Sequence, residues 1–143
     1  MADVIAVCIS DIKGVQKREV ESVTLKKKHG IVGDAHAGDW HRQVSLLGDE
    51  SVDKLRHILP ELPRGAFAEN ILTKGITLYA LPIGTKLRVG ETVLEVTQIG
   101  KECHEACAIR KAAGDCVMPR EGIFTIVVEE GIVKAGDKVE IID

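Results

Sequence analysis

The sequence predicts a mainly β domain, closed into a barrel or a strongly curved sheet with a few short helices. Three observations predict it. Short apolar or alternating runs recur between glycine-bearing turns, and only one segment carries a convincing helical period. The aromatic residues are just Trp40, Phe67, Tyr79 and Phe124, so the core must be filled by Val, Ile, Leu and Ala, which suits strands. Many short strands with one helix then have to bury their apolar faces against each other, as barrels and curved sheets do. At 143 residues, 45% hydrophobic and 29% charged, the chain has the length and composition of one folded domain that needs neither a disulfide nor a structural metal. No repeat, low-complexity tract or Pro/Gly/Ser-rich linker divides it. Residues 1–143 are read as a single domain.

The elements follow in order. Residues 3–10 form a β-branched apolar strand. Residues 19–26 alternate Val20, Ser22, Thr24 against Glu21, Val23, Leu25, the period of a strand with one buried face. The glycines and aspartates of GIVGDAHAGDWHR mark a loop rich in polar side chains. Strand character returns at residues 43–47, and Gly48-Asp49-Glu50-Ser51 opens the helix. Val52, Leu55 and Ile58/Leu59 carry its spacing, Lys54, Arg56 and His57 complement the carboxyl end of its dipole, and Pro60 stops it. Residues 86–89 and 92–99 flank Gly90-Glu91, a glycine-first pair suited to a two-residue hairpin turn. Residues 122–128 read as a buried strand, and a turn at Ala135-Gly136-Asp137 precedes a short last one.

Several function classes are excluded at this level. A net charge of -3 offers no general attraction to a polyanion, so nucleic acid is not an expected partner. There is no basic leader followed by an apolar stretch, and no run approaches the roughly 18 apolar residues of a membrane span. The expected location is the cytoplasm, where reducing conditions keep the four cysteines free.

The chemistry concentrates in GKECHEACAIRKAAGDCVMPREG. Cys103, His104, Cys107 and Cys116 supply three sulfurs and one imidazole, donors suited to zinc, molybdenum or another thiophilic metal. As a structural zinc set they lack the tight knuckle that usually opens such a site. As a nucleophile, Cys103 is the best placed. Lys101 and His104 adjoin it, and a helix beginning just after it would turn a positive end toward its thiolate. Cys107 and Cys116 read equally as resolving thiols or as small buried hydrophobes, and Cys8 reads as core. An ordinary dithiol redox role is disfavoured because no Cys-x-x-Cys occurs. Two polar clusters lie elsewhere. The loop carries Asp34, His36, His41 and Arg42 among glycines, a set that could bind an anion or be no more than a solvated loop. Arg64 and Asn70 flank Gly65 just before a strand, a plausible phosphate or pterin grip or an ordinary salt-bridged loop.

The ordered set GDAHAG leading to RQVSLL, then FAENI, then LPIG before the hairpin, then Cys103, then GIF and AGD resembles the MOSC domain, found at the carboxyl end of molybdenum cofactor sulfurases and in smaller bacterial proteins. The resemblance runs from about Gly14 onward. It implies a barrel-like fold and a cysteine, matching Cys103, that ligates molybdenum or handles sulfur. It also implies that His36, Arg42, Arg64 and Asn70 hold the phosphate and pterin of the molybdenum cofactor (molybdopterin), with a sulfur-donor or sulfur-acceptor protein as partner. Glu102 stands where relatives that reduce hydroxylated nitrogen commonly carry proline, and no stretch reads as a pyridoxal-phosphate desulfurase region. Those departures, with the extra Cys107 and Cys116, favour transient cofactor binding or sulfur relay over reductase activity. The alternative is a non-catalytic structural zinc or interaction domain built on Cys103, His104, Cys107 and Cys116.

Overall fold

The computed structural model describes residues 2–12, 16–56, 62–100 and 121–142. Its strands are β1 (Ala2–Ile9), β2 (Arg18–Val20), β3 (Ser22–Lys26), β4 (Gly30–Ile31), β5 (Val44–Gly48), β6 (Ile71–Lys74), β7 (Lys86–Val89), β8 (Thr92–Ile99), β9 (Ile123–Glu129), β10 (Gly131–Lys134) and β11 (Lys138–Ile141). Helix α1 (Asp49–Arg56) follows β5, and a 3-10 turn spans Leu78–Ala80. Seven strands close a barrel in the order β11-β7-β8-β9-β5-β6-β1, with Ala2 of β1 paired back to Val139 of β11. Closure leaves no free edge around the ring, and β2 takes up the end of β1 that β11 does not reach, pairing Val20 with Val7 and Arg18 with Ile9. The predicted mainly β, barrel-like class is what the chain adopts.

Two apolar layers hold the barrel. Inside it, Val4, Val7, Val44, Leu46, Ile71, Leu87, Leu94, Val96, Ile123 and Val139 pack together. Each large aliphatic side chain buried there contributes about 1.5–3 kcal/mol relative to exposure. Outside it, Cys8, Leu47, Leu72 and Phe124 point away from the interior and meet Val52 and Leu55 of α1 and Ala66 and Phe67 of the loop before β6. This second layer explains why all five residues of β5 are buried: alternate side chains enter different cores. A three-stranded sheet, β10-β3-β4, contributes Val23, Leu25, Ile31 and Val133 to the inner layer.

Local predictions and the structure agree at the hairpin. Val89 faces Thr92 across Gly90-Glu91, and Gly90 has φ +58°, the positive value a glycine-first turn requires. They differ at residues 19–26, where one strand was expected and two occur in different sheets. Val20 packs on the same inner core as Val23 and Leu25, an odd spacing that no unbroken alternation can satisfy. The chain resets its phase at exposed Glu21 and crosses from β1 to the small sheet. The parallel pairing of β5 with β6 was also not anticipated; it needs a long connection, which residues 49–70 supply, and the expected helix end at His57, Ile58/Leu59 and Pro60 lies outside the described residues.

Candidate functional site

Of the predicted site residues, Asn70 lies where β1, β5 and β6 meet, and Asp34 bonds Ser10 just past the end of β1. Asp34 does not face a ligand. Its side chain and that of Lys17 are both fully buried, with Lys17 Nζ donating to Asp34 Oδ1 at 2.8 Å. The Ser10 N–H donates to the same oxygen at 3.1 Å, and the His36 N–H reaches Oδ2 at 3.2 Å. Burial by itself pushes the Asp34 carboxyl up, but the Lys17 ammonium, the Ser10 N–H and the Asn70 amide together hold it below its ordinary value. Lys17 also reaches Nδ1 of His36 at 2.9 Å, and Trp40 Nε1 donates to the His36 carbonyl at 2.8 Å. His36 keeps about a third of its side chain exposed, 32%.

Asn70 is committed to the framework. Its Oδ1 accepts from the Ser45 N–H at 3.0 Å and from the Ser45 hydroxyl at 3.2 Å, and its Nδ2 donates to the Cys8 carbonyl at 3.1 Å. One side chain thus ties β1 to β5 where β6 begins. Neighbouring Glu69 is buried and accepts from the N–H groups of Gly65 at 2.9 Å and Phe67 at 3.0 Å. Burial raises its carboxyl above the ordinary range despite those donors. Arg64 lies at the surface in a 3.0 Å pair with Glu19. The FAEN segment is therefore a structural corner with Arg64 on its outer side.

Arg42 is placed differently. Its Nε donates to Gln98 Oε1 at 3.1 Å, and its guanidinium lies over the Phe124 ring at 5.0 Å. Gln98 Oε1 also bonds the His41 ring at 2.8 Å, and Gln98 Nε2 donates to the Gly100 carbonyl at 2.8 Å. The Gly100 N–H in turn bonds the Gly122 carbonyl at 2.7 Å, continuing the β8–β9 ladder. Among the described residues the two terminal nitrogens of Arg42 have no partner. The structure thus brings His36 into one cluster with Lys17 and Asp34, and Arg42 into a second with His41 and Gln98. Trp40 joins them through the chain and its bond to His36.

Cys103, with His104, Cys107 and Cys116, lies outside the described residues. Among the described residues no three His, Cys, Asp or Glu side chains come together as a metal group. Cys8 is buried in the outer core, as expected of a small hydrophobe. Burial first, and then the carboxylates of Glu69 and Glu19, push its thiol up to about 12. In the native protein at pH 8 the Cys8 peptide should therefore escape alkylation, and it should label fully in denaturant; peptide mapping reads both. Rapid native labelling would contradict the burial. A cleft of about 330 Å³ lies past the carboxyl ends of β5 and β6, lined in part by Ser51, Lys54, Tyr79 and Glu121. It contains none of the predicted site residues.

Lys17 and Glu69 were missed. A lysine in a short basic run gives no local sign of burial, because its partner Asp34 is seventeen positions away.

The closed seven-stranded barrel defines the class of the chain. It belongs to the MOSC domain family, whose model matches residues 33–140, more than half of the chain. That family is linked to molybdenum-cofactor proteins. Among solved structures, the chain is similar to the YuaD protein from Bacillus subtilis, with 18% identity and a TM-score of 0.80 over 99% of this chain and 96% of that one. It is also similar to YiiM from Geobacillus stearothermophilus, with 16% identity and a TM-score of 0.74 over 100% and 76% of the two chains. YiiM from Escherichia coli matches at 20% identity and a TM-score of 0.66 over 99% and 68%. At these identities the likeness shows the fold. Among the described residues no helix is long and apolar enough to cross a membrane.

Proposed function

We propose that this domain binds the molybdenum cofactor, or carries sulfur toward it, through the Cys103 thiolate, with His36 and Arg42 contacting the anionic part of the ligand. The observation that carries this reading is Arg42. Its Nε and its face are fixed by Gln98 and Phe124, which leaves its terminal nitrogens without a partner among the described residues, a preorganised fork for phosphate oxygens. Gln98 connects that fork to Gly100, and Cys103 follows Gly100 by three residues. Three peptide units span at most about 11 Å, which bounds how far Cys103 can lie from Gly100 along the chain.

The fit to a pterin with a phosphate tail is selective. His36 and Arg42 suit the phosphate, whereas Asn70 acts by holding β1 and β5 in place and Arg64 is balanced by Glu19. When bound, the cofactor would supply a thiophilic metal for which a cysteine thiolate is a soft ligand. In the sulfur-relay form, the Cys103 thiolate takes the outer sulfur of a protein persulfide. The donor's S–S bond breaks as the new one forms, and the donor leaves as its thiolate.

Protein made in a pterin-competent host supplied with molybdate tests the reading. Wild type should retain pterin and molybdenum or accept sulfane sulfur. Cys103→Ser should lose sulfur uptake and metal while staying folded, and Arg42→Ala should weaken cofactor retention about tenfold or more. Wild-type protein holding neither pterin, molybdenum nor sulfane sulfur would defeat the proposal. One zinc per chain whose chelation unfolds the protein would instead assign Cys103, His104, Cys107 and Cys116 to a structural site.

A further inference from the structure

We infer that Gln98, carried on a β-bulge of β8, is a positioning residue that sets Arg42 as a donor beside His41 as an acceptor, so that the site takes an oxyanion still carrying a proton, such as hydrogen phosphate. The bulge comes first. Val96 pairs with Thr125 and Gln98 with Phe124, so β8 uses two residues where β9 uses one, and Thr97 is the extra residue. In a regular strand Thr97 and Gln98 would face opposite sides of the sheet. Here both reach the same two residues. The Thr97 hydroxyl bonds the His41 carbonyl, while Gln98 Oε1 accepts from Arg42 Nε at 3.1 Å and bonds Nε2 of the His41 ring at 2.8 Å. Residues 41 and 42 are thereby fastened to β8 through main chain and side chains alike.

The placement of protons follows from what each group can do. Arg42 Nε can only donate, so the Gln98 atom facing it is the amide oxygen; the amide nitrogen is accounted for by its bond to the Gly100 carbonyl at 2.8 Å. An amide oxygen can only accept, so Nε2 of His41 carries a proton. In the neutral ring the lone pair then falls on Nδ1, which has no partner among the described residues of this exposed side chain. The Arg42 terminal nitrogens and His41 Nδ1 are each one planar group away from the same amide oxygen, so fork and lone pair lie side by side. Guanidinium donors alone hold phosphate and sulfate alike. An added lone pair discriminates between them. It accepts from the O–H of hydrogen phosphate, whereas sulfate at neutral pH has only acceptor oxygens and would set two lone pairs against each other. The inference rests on the anion-binding reading of Arg42 given above and adds the protonation state of the ligand.

Calorimetric titration at pH 7.5 with inorganic phosphate and with sulfate tests it. Wild type should bind phosphate about tenfold or more tighter than sulfate, the cost of leaving one such lone pair unpaired. His41→Ala should lose that preference while keeping its sulfate affinity, and Gln98→Met should lose the preference and weaken both anions. A preference that survives His41→Ala would overturn the role of His41, and one that survives Gln98→Met would overturn that of Gln98. Long-range nitrogen–proton spectra, with His41→Ala identifying the resonances, supply a readout that a merely structural role would not move. The wild-type ring should show a protonated Nε2 and a lone-pair signal at Nδ1 that phosphate shifts saturably. A protonated Nδ1 in the neutral ring, or an Nδ1 that ignores phosphate, would overturn the inference. Should Gln98→Met not fold, the wild-type spectrum and His41→Ala decide. Sulfate bound as tightly as phosphate would defeat this inference and leave the anion-binding face of Arg42 standing, whereas failure to bind either anion would defeat both. Absence of pterin, molybdenum and sulfane sulfur from the protein would defeat the cofactor reading without altering the phosphate preference.

Discussion

Lys17→Met is expected to lower the unfolding free energy at pH 7 by about 3–5 kcal/mol, the usual consequence of leaving one buried charge without its partner. For a domain of this size that is a large share of a total stability of about 5–15 kcal/mol. The carboxylate left behind would keep the N–H groups of Ser10 and His36 but lose its only cation among the contacts described. The pH dependence separates this cause from simple loss of packing. In the wild type the Asp34 carboxyl is held below its ordinary value of 3.8, so its contribution is present above that pH and is lost as pH falls through the folded value. In the variant, burial is opposed only by the Ser10 and His36 N–H groups and the Asn70 amide, so the folded value rises relative to the wild type and the penalty is greatest at neutral pH and shrinks on acidification. Urea unfolding of both proteins at pH 7 and pH 5 should show the difference narrowing. Lys17→Met/Asp34→Asn should recover most of the loss, because an ion pair replaced as a unit is often close to neutral in stability. A deficit under about 1 kcal/mol for the single variant would mean that water reaches Asp34.

The opposing carboxyl, Glu69, shows why acid sensitivity should not be read from Asp34 alone. Its folded value is raised, so its protonation favours the folded state, and that contribution fades as pH rises through the raised value. The two buried acids pull the stability profile in opposite directions below neutrality. Both sit in the same corner, since Glu69 accepts from Gly65 and Gly65 bonds the backbone of Lys17.

What was legible in the sequence follows from the range of each interaction. The Gly90-Glu91 hairpin, the start of α1 and the strand character of β1, β5, β8 and β9 rest on neighbours within a few residues, and periodicity and turn chemistry report them directly. The division of residues 19–26 was not legible, because it depends on Val20 and Val23 meeting one core from two sheets. Of the site, Arg42 and His36 stood out by residue type in a glycine-rich loop. Their partners did not. Gln98 lies 56 positions from Arg42, and Lys17 lies 19 from His36. Asn70 had the chemistry of a ligand grip on paper, and only its bonds to Ser45 and Cys8 reveal a stitch between strands. The case for Cys103 still rests on its neighbours in the chain and on the family, whereas the placement of Arg42 against Gln98 and Phe124 stands on geometry.

Gly65→Ala is the second large effect, because it strikes the same corner through the backbone. Gly65 has φ +89°, and a Cβ built there would fall 2.1 Å from the Lys17 carbonyl oxygen and 2.8 Å from its carbon. Neither atom can rotate away. The Lys17 N–H donates to the Gly65 carbonyl at 2.9 Å, and that same carbonyl accepts from Ala68 at 2.9 Å. Alanine would have to push the two segments apart, losing the bond between them and drawing Lys17 away from Asp34 and His36. Strain at positive φ contributes about 1–3 kcal/mol and the lost hydrogen bond about 0.5–1.5, so the expected loss is about 2–4 kcal/mol. Gly33→Ala is the internal control. Its φ is +87°, nearly the same, but nothing lies within 4 Å of the added Cβ. It should lose only the strain, so the difference between the two variants in urea unfolding isolates the contact with Lys17. Equal losses would show that the corner yields without cost. If the contact is what positions Lys17, Gly65→Ala combined with Lys17→Met should cost less than the sum of the two.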